Sequence, residues 1–300
     1  MNLTRCGKWS KIKTEFMLKI LTYNVGLLRV RFFGLTMVEP APYVDERYAC
    51  LAPALLASGA DIIALQEIYG RDQQARLMRE LAAVYPYCEF SPTRPFRPLG
   101  AALMLFSKFP LISVEHILFN NIPLDERIFV DKGMIVATVN AGAFGPLRIA
   151  NTHCTSGGAL HHPERSFTSR ARNRQYRQIF DTLDRDRGVM RLAVGDFNAG
   201  PKVLPENYRE LLSRGYTDVW AACHGEASAP TWDPKNELNA HGPHRLTSAQ
   251  RMDHILFRDG ENRPTKVKNA QIVLSEPCVE VPSGKVTISD HYALTAELEK

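Results

Sequence analysis

Six short apolar segments of the chain each carry a carboxylate, an imidazole or an amide at one end. In four of them the polar residue comes last: ILTYN (20–24), DIIALQE (61–67), LRIANTH (147–153) and RLAVGDFN (191–198). In the other two it comes near the start: RMDHILF (251–257) and SDHYALTAEL (289–298). Side chains of these types bind divalent cations and transfer protons, so the pattern indicates chemistry at the segment ends.

The six segments have the composition of β-strands, because they are short, apolar and rich in β-branched residues. Antiparallel neighbours bring the end of one strand beside the start of the next. Four strands that end in polar residues and two that begin with them can therefore meet at one edge of a sheet. We expect an active site at that edge.

Helical patterns lie between the strands, at residues 44–59, 71–86 and 164–188, and they stop at Gly59, Pro86 and Gly188. Strands that alternate with helices, without a linker-like tract, predict one domain of two packed sheets covered by helices. We place this domain at residues 18–300. The basic N-terminal segment, residues 1–17, is predicted to be a flexible extension.

Composition limits the classes of protein that fit. The 300 residues are 45% hydrophobic and 23% charged, which excludes a disordered chain, and the net charge of +5 is too small to identify a partner. The six cysteines are too scattered for a zinc site. No apolar run reaches the roughly 18 residues of a spanning helix, and the N-terminus lacks the apolar core of a signal peptide. We therefore expect a cytoplasmic protein whose membrane contact, if any, is peripheral.

The motifs TYNV, LQE, NTH, GDFN, MDHIL and SDH, in this order, resemble those of the endonuclease/exonuclease/phosphatase superfamily of metal-dependent phosphodiesterases and phosphatases. Each motif is weak alone, but six in order cover about residues 18–298. The resemblance implies an α/β fold: a four-layer α/β/β/α sandwich, with two packed, mostly antiparallel sheets flanked by helices. It also implies an active site at one edge of the paired sheets.

Phosphodiester hydrolysis by such enzymes requires a cation, and hard oxygen ligands favour Mg²⁺, with Mn²⁺ possible. Glu67 is the predicted principal ligand. Asn24 is predicted to stand beside it as a neutral oxygen ligand or hydrogen-bond partner, and Asp290 resembles a carboxylate on the metal side. A lone Glu at a strand end is usually a surface residue and a lone Asn usually forms a turn, so these roles depend on the ordered motifs.

The remaining motif residues suggest acid–base roles. We predict that His291 is the general base, because an imidazole titrates near neutrality, and Asp253 resembles its orienting carboxylate. His153 resembles the residue that hydrogen-bonds the phosphoryl oxygen or helps the leaving group. Asp196 and Asn198, two residues apart on an extended strand end, would point to the same side and address one phosphate or its nucleophile.

Three further segments resemble neutral sphingomyelinases and their bacterial relatives: FVDKGMIVATV (129–139), PERSFTSRARNRQYRQI (163–179) and TWDPKNELN (231–239). Lys132, before an apolar strand, and Trp232, which could stack on a choline headgroup or belong to the core, are the predicted substrate contacts. The resemblance favours a sphingomyelinase-like phospholipase C that releases ceramide and phosphocholine. The alternatives are a metal-dependent endonuclease or exonuclease acting on DNA or RNA, and an inactive interaction module of the same fold.

Residues 27–37 follow the first strand and are apolar, with Arg29 and Arg31 among them. An apolar loop rimmed by arginine beside an active site could rest on a bilayer and give the protein a peripheral membrane contact. The same residues could equally pack beneath the following helix.

Overall fold

The computed structural model describes residues 16–94, 97, 99–157, 166–227, 229–240, 245–261 and 264–300. Most of the predicted flexible extension, residues 1–15, lies outside this range. Phe16 and Met17, however, already pair with the C-terminal residues Lys300 and Glu299. The described fold therefore begins two residues before the predicted boundary at residue 18.

Twelve of the described strands form two six-stranded sheets. The first sheet has the order β13 (Lys266–Val273), β16 (Ala293–Glu299), β1 (Met17–Asn24), β4 (Ile62–Gln66), β6 (Met104–Ser107) and β5 (Tyr87–Phe90). The second has the order β11 (Thr217–Asp218), β12 (Asp253–Arg258), β10 (Met190–Asp196), β9 (Pro146–His153), β8 (Gly133–Asn140) and β7 (Leu111–Leu118). Only β1 with β4 and β9 with β10 are parallel, so both sheets are mostly antiparallel, as predicted.

Helices cover the outer face of each sheet. The helices are α1 (Val44–Ala57), α2 (Arg71–Leu81), α3 (Leu124–Phe129), α4 (Ser166–Leu183), α5 (Pro205–Leu212) and α6 (Val219–His224), with a 3₁₀ turn at Gly142–Phe144. Of these, α6 packs against the central layer through Val219 and Trp220 and does not cover an outer face. The predicted stop after α1 is found at Gly59, whose φ of +66° is left-handed and ends the helix. The other two predicted helical segments correspond to α2 and α4.

Three apolar layers hold the fold together. The central layer contains residues of both sheets, such as Ile20 and Leu192, and the outer layers join one sheet to α1 and α2 and the other sheet to α4 and α5. In β1, Ile20 faces the central layer whereas Leu21 faces the helices. A strand buried on both faces is continuously apolar, which explains the apolar runs in the sequence. The four-layer α/β/β/α prediction is confirmed.

The strand register brings the polar segment ends to one edge. Asn24 pairs with Gln66 in the first sheet, and Asp196 pairs with both His153 and Asp253 in the second. Parallel pairs end together, and the antiparallel β12 begins where β10 ends. The predicted meeting of the six motifs at one sheet edge is therefore found.

Two small hairpins extend from the sandwich. One pairs β14 (Val279–Val281) with β15 (Gly284–Val286), and the other pairs β2 (Val30–Phe32) with β3 (Leu35–Val38). We call residues 30–38 the apolar hairpin, because four of its large apolar side chains are 63–90% exposed: Phe32, Phe33, Leu35 and Met37. These four side chains do not pack beneath the following helix. Among the described helices, none has the length and apolar character needed to cross a bilayer.

Candidate active site

Asn24 joins the two sheets at the site. Its side-chain nitrogen donates to Glu67 Oε1 and to Asp196 Oδ2, each over 3.0 Å, while its side-chain oxygen accepts from the Gly26 backbone nitrogen. Asn24 and Glu67 belong to the first sheet and Asp196 to the second. The amide at the end of β1 thus holds two carboxylates from different sheets close together.

Glu67 follows β4 in a left-handed conformation, with φ of 63°. Burial raises the pKa of its carboxyl group, and the nearby Asp290 raises it further, whereas Lys132 lowers it. The carboxylate therefore lies in a group of like charges that water does not screen well. A cation at this position would stabilise the charged form.

His153 and Asp196 lie side by side at the ends of β9 and β10. His153 Nε2 is 3.6 Å from Asp196 Oδ2 and 3.9 Å from Glu67 Oε1. Burial raises the pKa of Asp196 to about 7, and Asp253 contributes in the same direction. Burial also lowers the pKa of His153 well below its usual value, together with the charges of Lys132 and His291. His153 is therefore neutral at pH 7, with one ring nitrogen that donates a hydrogen bond and one that accepts a hydrogen bond.

His291 forms a hydrogen bond with a buried carboxylate. Its Nδ1 is 2.9 Å from Asp253 Oδ2, and its Nε2 is directed toward the site, 3.9 Å from Asp196 Oδ2. Burial alone would lower the pKa of His291, but Asp253, with Asp196 and Asp290, outweighs burial and raises the pKa to about 10. The predicted His291–Asp253 contact is present in the structure.

The donor set of the site fits a divalent cation. Asp196, Asp253 and His291 offer ligand atoms that lie within 4.8 Å of one another. Asp253 Oδ1 is buried and has no hydrogen-bond partner within the described part of the chain. Glu67 and Asp290 add two more carboxylates near this group. So many hard oxygen donors, with raised pKa values at Glu67 and Asp196, suit Mg²⁺ or Mn²⁺. The closely spaced group of Asp196, Asp253 and His291 differs from the metal ligands predicted from the sequence, which are Glu67, Asn24 and Asp290. The hydrogen bonds from Asn24 to Glu67 and Asp196 connect the two groups of residues.

Asp290 packs over a glycine that the motif TYNVG supplies. A Cβ atom on Gly26 would lie 2.0 Å from Asp290 Oδ1, and φ of Gly26 is +54°. Ser289 Oγ lies 2.7 Å from the Asn24 carbonyl oxygen and 3.1 Å from Asp290 Oδ1, so its one hydroxyl hydrogen is shared between them and fixes the two loops against each other. Gly26 is therefore required for the position of Asp290.

We expect Gly26→Ala to displace Asp290 and to weaken Mg²⁺ binding by about tenfold, the lower range for loss of a group that supports a metal site. Isothermal titration calorimetry with Mg²⁺ measures the change. The matched control is Gly34→Ala in the apolar hairpin, where φ is also left-handed, at +82°, but where none of the described residues would lie within 4 Å of the added methyl group. Equal Mg²⁺ affinities of the two variants would contradict the prediction.

The two predicted substrate contacts, Lys132 and Trp232, are both buried, but only the charge of Lys132 acts on the site residues. Lys132 is only 5% exposed, directly precedes β8, and lowers the pKa of both Glu67 and His153, so its charge acts on the site. Trp232 is also 5% exposed and forms a backbone bridge beside His291. Burial leaves its ring little surface on which a choline headgroup could stack.

Asn198 does not continue the strand that ends at Asp196. It has a left-handed φ of 52°, its backbone nitrogen donates to Asp196 Oδ1, and its side-chain nitrogen donates to the Cys154 carbonyl over 3.0 Å. The extended geometry predicted for this pair is therefore wrong. Asn198 instead ties the loop after β10 to the chain just beyond His153.

Sequence reasoning missed several polar residues that support the site. Gln66 donates to Asn151 Oδ1 over 2.8 Å, and Asn151 donates to the Leu65 and Met104 carbonyls, so a chain of amides crosses the central layer. Both residues lie inside quoted motifs, LQE and NTH, which was the available signal. Thr231 Oγ1, which accepts from the Asp253 nitrogen, begins the segment TWDPKNELN, in which only Trp232 was assigned a role.

Comparison with known proteins gives consistent results. The model of the Endonuclease/Exonuclease/phosphatase family matches residues 21–291. A Drosophila melanogaster protein whose name proposes a neutral sphingomyelinase is 23% identical over 296 residues, which cover 93% of this chain and 62% of that protein. The inositol phosphosphingolipids phospholipase C of Schizosaccharomyces pombe is 24% identical over an alignment of 319 positions. The alignment covers 94% of this chain and 68% of that protein. The chain thus spans about two thirds of the length of these relatives.

Solved structures share the fold at low sequence identity. Sphingomyelinase C from Streptomyces griseocarneus has a TM-score of 0.71 at 22% identity and covers 94% of this chain and 99% of its own. A Staphylococcus aureus beta toxin mutant with bound magnesium ions has a TM-score of 0.74 at 16% identity, with 94% and 99% coverage. D. rerio TDP2 complexed with a single-strand DNA product has a TM-score of 0.71 at 19% identity, with 95% and 99% coverage.

Proposed function

Because the chain belongs to the Endonuclease/Exonuclease/phosphatase family, we propose that it is a Mg²⁺-dependent phosphodiesterase acting on sphingolipids. The first substrate to test is sphingomyelin, which would yield ceramide and phosphocholine. The observation that carries the proposal is the group of Glu67, Asp196, Asp253, His153 and His291, joined across two sheets at one edge. An inactive interaction module would not need this arrangement.

The reaction requires a nucleophilic water and neutralisation of the phosphate charge. When bound, Mg²⁺ supplies Lewis-acid polarisation of the phosphoryl oxygen and screens the carboxylates. We assign to His291 Nε2 the acceptance of the proton from water, because Asp253 on Nδ1 fixes the tautomer in which Nε2 is free. Asp253 raises the pKa of His291 most, and Asp196 and Asp290 raise it further. A cation at the site would neutralise Asp196 and Asp290, so the base role depends on the metal.

Two other residues face the phosphate in this proposal. The ammonium group of Lys132 is buried and forms no ion pair or hydrogen bond with the residues that the structure describes, so an anionic phosphoryl oxygen would provide a partner. His153 is neutral, so in this form it can donate only one ring hydrogen to the substrate. We assign it to a phosphoryl or leaving-group oxygen. Asn24 and Asn198 hold the carboxylates and the loops around these groups.

The apolar hairpin supports a lipid substrate. It follows directly from β1, so it lies at the same end of the sandwich as Asn24, and its exposed side chains cover no other part of the described fold. Arg29 lies before the hairpin, where it pairs with Asp45. We infer that the hairpin rests on the bilayer and brings the site to the headgroup, a role that the substrates named for the relatives also favour.

Replacing Phe32 and Phe33 with serine should lower activity on sphingomyelin vesicles by about tenfold or more, and leave hydrolysis of a soluble aryl phosphodiester nearly unchanged. The reason is that each buried aromatic side chain contributes roughly 1.5–3 kcal/mol of transfer free energy to surface binding. The measurement is the ratio of the two rates, with vesicle sedimentation. Ile112→Ser is the matched control, since Ile112 is 64% exposed, like Phe32, but lies at the far end of β7. Equal losses on both substrates would contradict membrane docking.

A nuclease is the second candidate, because D. rerio TDP2, a structural neighbour, holds a single-strand DNA product. The two candidates share the same metal chemistry and differ only in what reaches the site. Parallel assays with Mg²⁺ on sphingomyelin vesicles, single-stranded DNA and a soluble aryl phosphodiester separate them. Hydrolysis of the aryl ester and of DNA, with no hydrolysis of sphingomyelin, would establish the nuclease. If none of the three substrates is hydrolysed, the inactive module is favoured.

A further inference from the structure

The fold contains two strand–helix–strand units with the same plan. In the first, β1 and β4 are parallel and are connected through α1, and in the second, β9 and β10 are parallel and are connected through α4. Both strands of each unit end at the site. Each helix carries one arginine with 0% exposure, Arg47 in α1 and Arg172 in α4.

Arg47 binds three separate segments. Its Nη1 donates to the Val25 and Ile288 carbonyls, over 3.1 and 3.0 Å, and its Nη2 donates to the Gly26 carbonyl over 2.8 Å. The remaining bonds, from Nη2 and Nε, go to the carbonyls of Ala41 and Pro42 at the exit of the apolar hairpin. All five bonds thus reach backbone oxygens, and two of the segments lead directly to Asn24 and Asp290.

Arg172 has the corresponding position in the second unit. Its Nη1 donates to the carbonyls of Thr155 and Ser156, which lie just beyond His153, and its Nε donates to Asn207 Oδ1 of α5. The Arg172 guanidinium is therefore enclosed in the fold and does not belong to a solvated helix face. Its neighbours Arg170, Arg174 and Arg177 are exposed, as a solvated face requires.

We propose that Arg47 and Arg172 are a pair of positioning residues, each holding the chain immediately beyond a strand end that delivers groups to the active site. Arg47 fixes the half of the site around Asn24 and Asp290, and Arg172 fixes the half around His153. A planar guanidinium with five donors in fixed directions can bind several carbonyls at once, whereas a lysine ammonium has three donors on one atom. The effect of this pair on catalysis rests on the proposed function, whereas the claim that the two arginines hold the strand ends does not.

The test compares Arg47→Lys and Arg172→Lys, which keep the charge and the aliphatic stem. The control is Arg191→Lys, because Arg191 is also buried but lies at the far end of β10, where it binds Asp184. We expect Arg47→Lys to weaken Mg²⁺ binding by at least about tenfold in calorimetry. We expect Arg172→Lys to lower kcat on a soluble aryl phosphodiester by at least about tenfold, with Mg²⁺ affinity within about twofold of wild type.

Hydrogen exchange measured by mass spectrometry provides a readout that needs no activity. Residues 24–28 and 288–291 should exchange faster in Arg47→Lys, and residues 153–157 in Arg172→Lys, while the central strands of both variants keep wild-type protection. If the wild-type protein hydrolyses no phosphodiester, the proposed function fails and the exchange pattern still tests the positioning role.

Two results would overturn the positioning proposal. The first is behaviour of both variants like that of Arg191→Lys, with unchanged exchange at the strand ends. The second is loss of protection throughout the chain in both variants, which would show that the arginines support the whole fold. Partial restoration of Mg²⁺ binding in Arg47→Ala by millimolar guanidinium, but not by the neutral isostere urea, would add support, because the guanidinium ion can refill the vacated position.

Discussion

His291→Ala is expected to lower kcat by about 10²- to 10⁴-fold on a soluble phosphodiester, the usual contribution of a positioned general base. Substrate binding should change little, because the carboxylates and Lys132 remain. Single-turnover kinetics at saturating substrate measure the effect on the chemical step. The matched control is His224→Ala, since the imidazole of His224 in α6 bonds to the Ala270 carbonyl and lies outside the site. A loss of less than about tenfold would exclude His291 as the base.

Asp253, which forms a hydrogen bond with His291, should be needed for the same step of the reaction. Asp253→Asn removes the charge that fixes the imidazole, so we expect a loss of the same kind as in His291→Ala. The double variant should be little worse than His291→Ala, because residues that act as a unit do not contribute additively. A double-variant loss equal to the product of the two single losses would show that His291 and Asp253 act independently.

Glu67→Gln should weaken Mg²⁺ binding by about 10- to 100-fold or more, at least the loss that follows removal of a residue supporting a metal ligand. The substitution keeps the size of the side chain and removes its charge, so the fold should persist. Calorimetric titration measures the affinity, and circular dichroism verifies the fold. Glu299→Gln is the control, because Glu299 is a buried glutamate at the opposite end of the first sheet.

Equal Mg²⁺ affinity of wild type and Glu67→Gln would move the cation to the Asp196, Asp253 and His291 group. In that case Asp196→Asn should produce the loss instead. The two outcomes therefore distinguish the ligand set predicted from the sequence from the closer group found in the structure.

The sequence predicts the layers of the fold and the residues of the site because both leave local signals. A strand buried on both faces is continuously apolar, and a carboxylate or imidazole at its end breaks that pattern, as Glu67 and His153 do. The order of the motifs then identifies the family. What joins these residues, such as the Asn24 bonds to both sheets, is tertiary and has no local signal.

The predictions that were wrong or incomplete depended on tertiary contacts. Asn198 adopts a left-handed conformation because its side chain binds the Cys154 carbonyl, and its spacing from Asp196 could not show this. Arg172 looks like any helix arginine until α5 and the loop after β9 enclose it. The sequence also could not predict whether Phe32 and Phe33 are exposed, because an apolar loop of the same composition can pack inward or face outward.

The two halves of the site stand on different sheets, with the central apolar layer between them. Packed sheets lie about 10 Å apart, and the side chains that fill the interval set the spacing. Ile20 and Leu192 therefore help to determine how far Asn24 must reach to Asp196. Core volume therefore sets the geometry of the proposed site: a methylene group gained or lost between the sheets changes the separation of the groups to which we assign phosphate and cation binding.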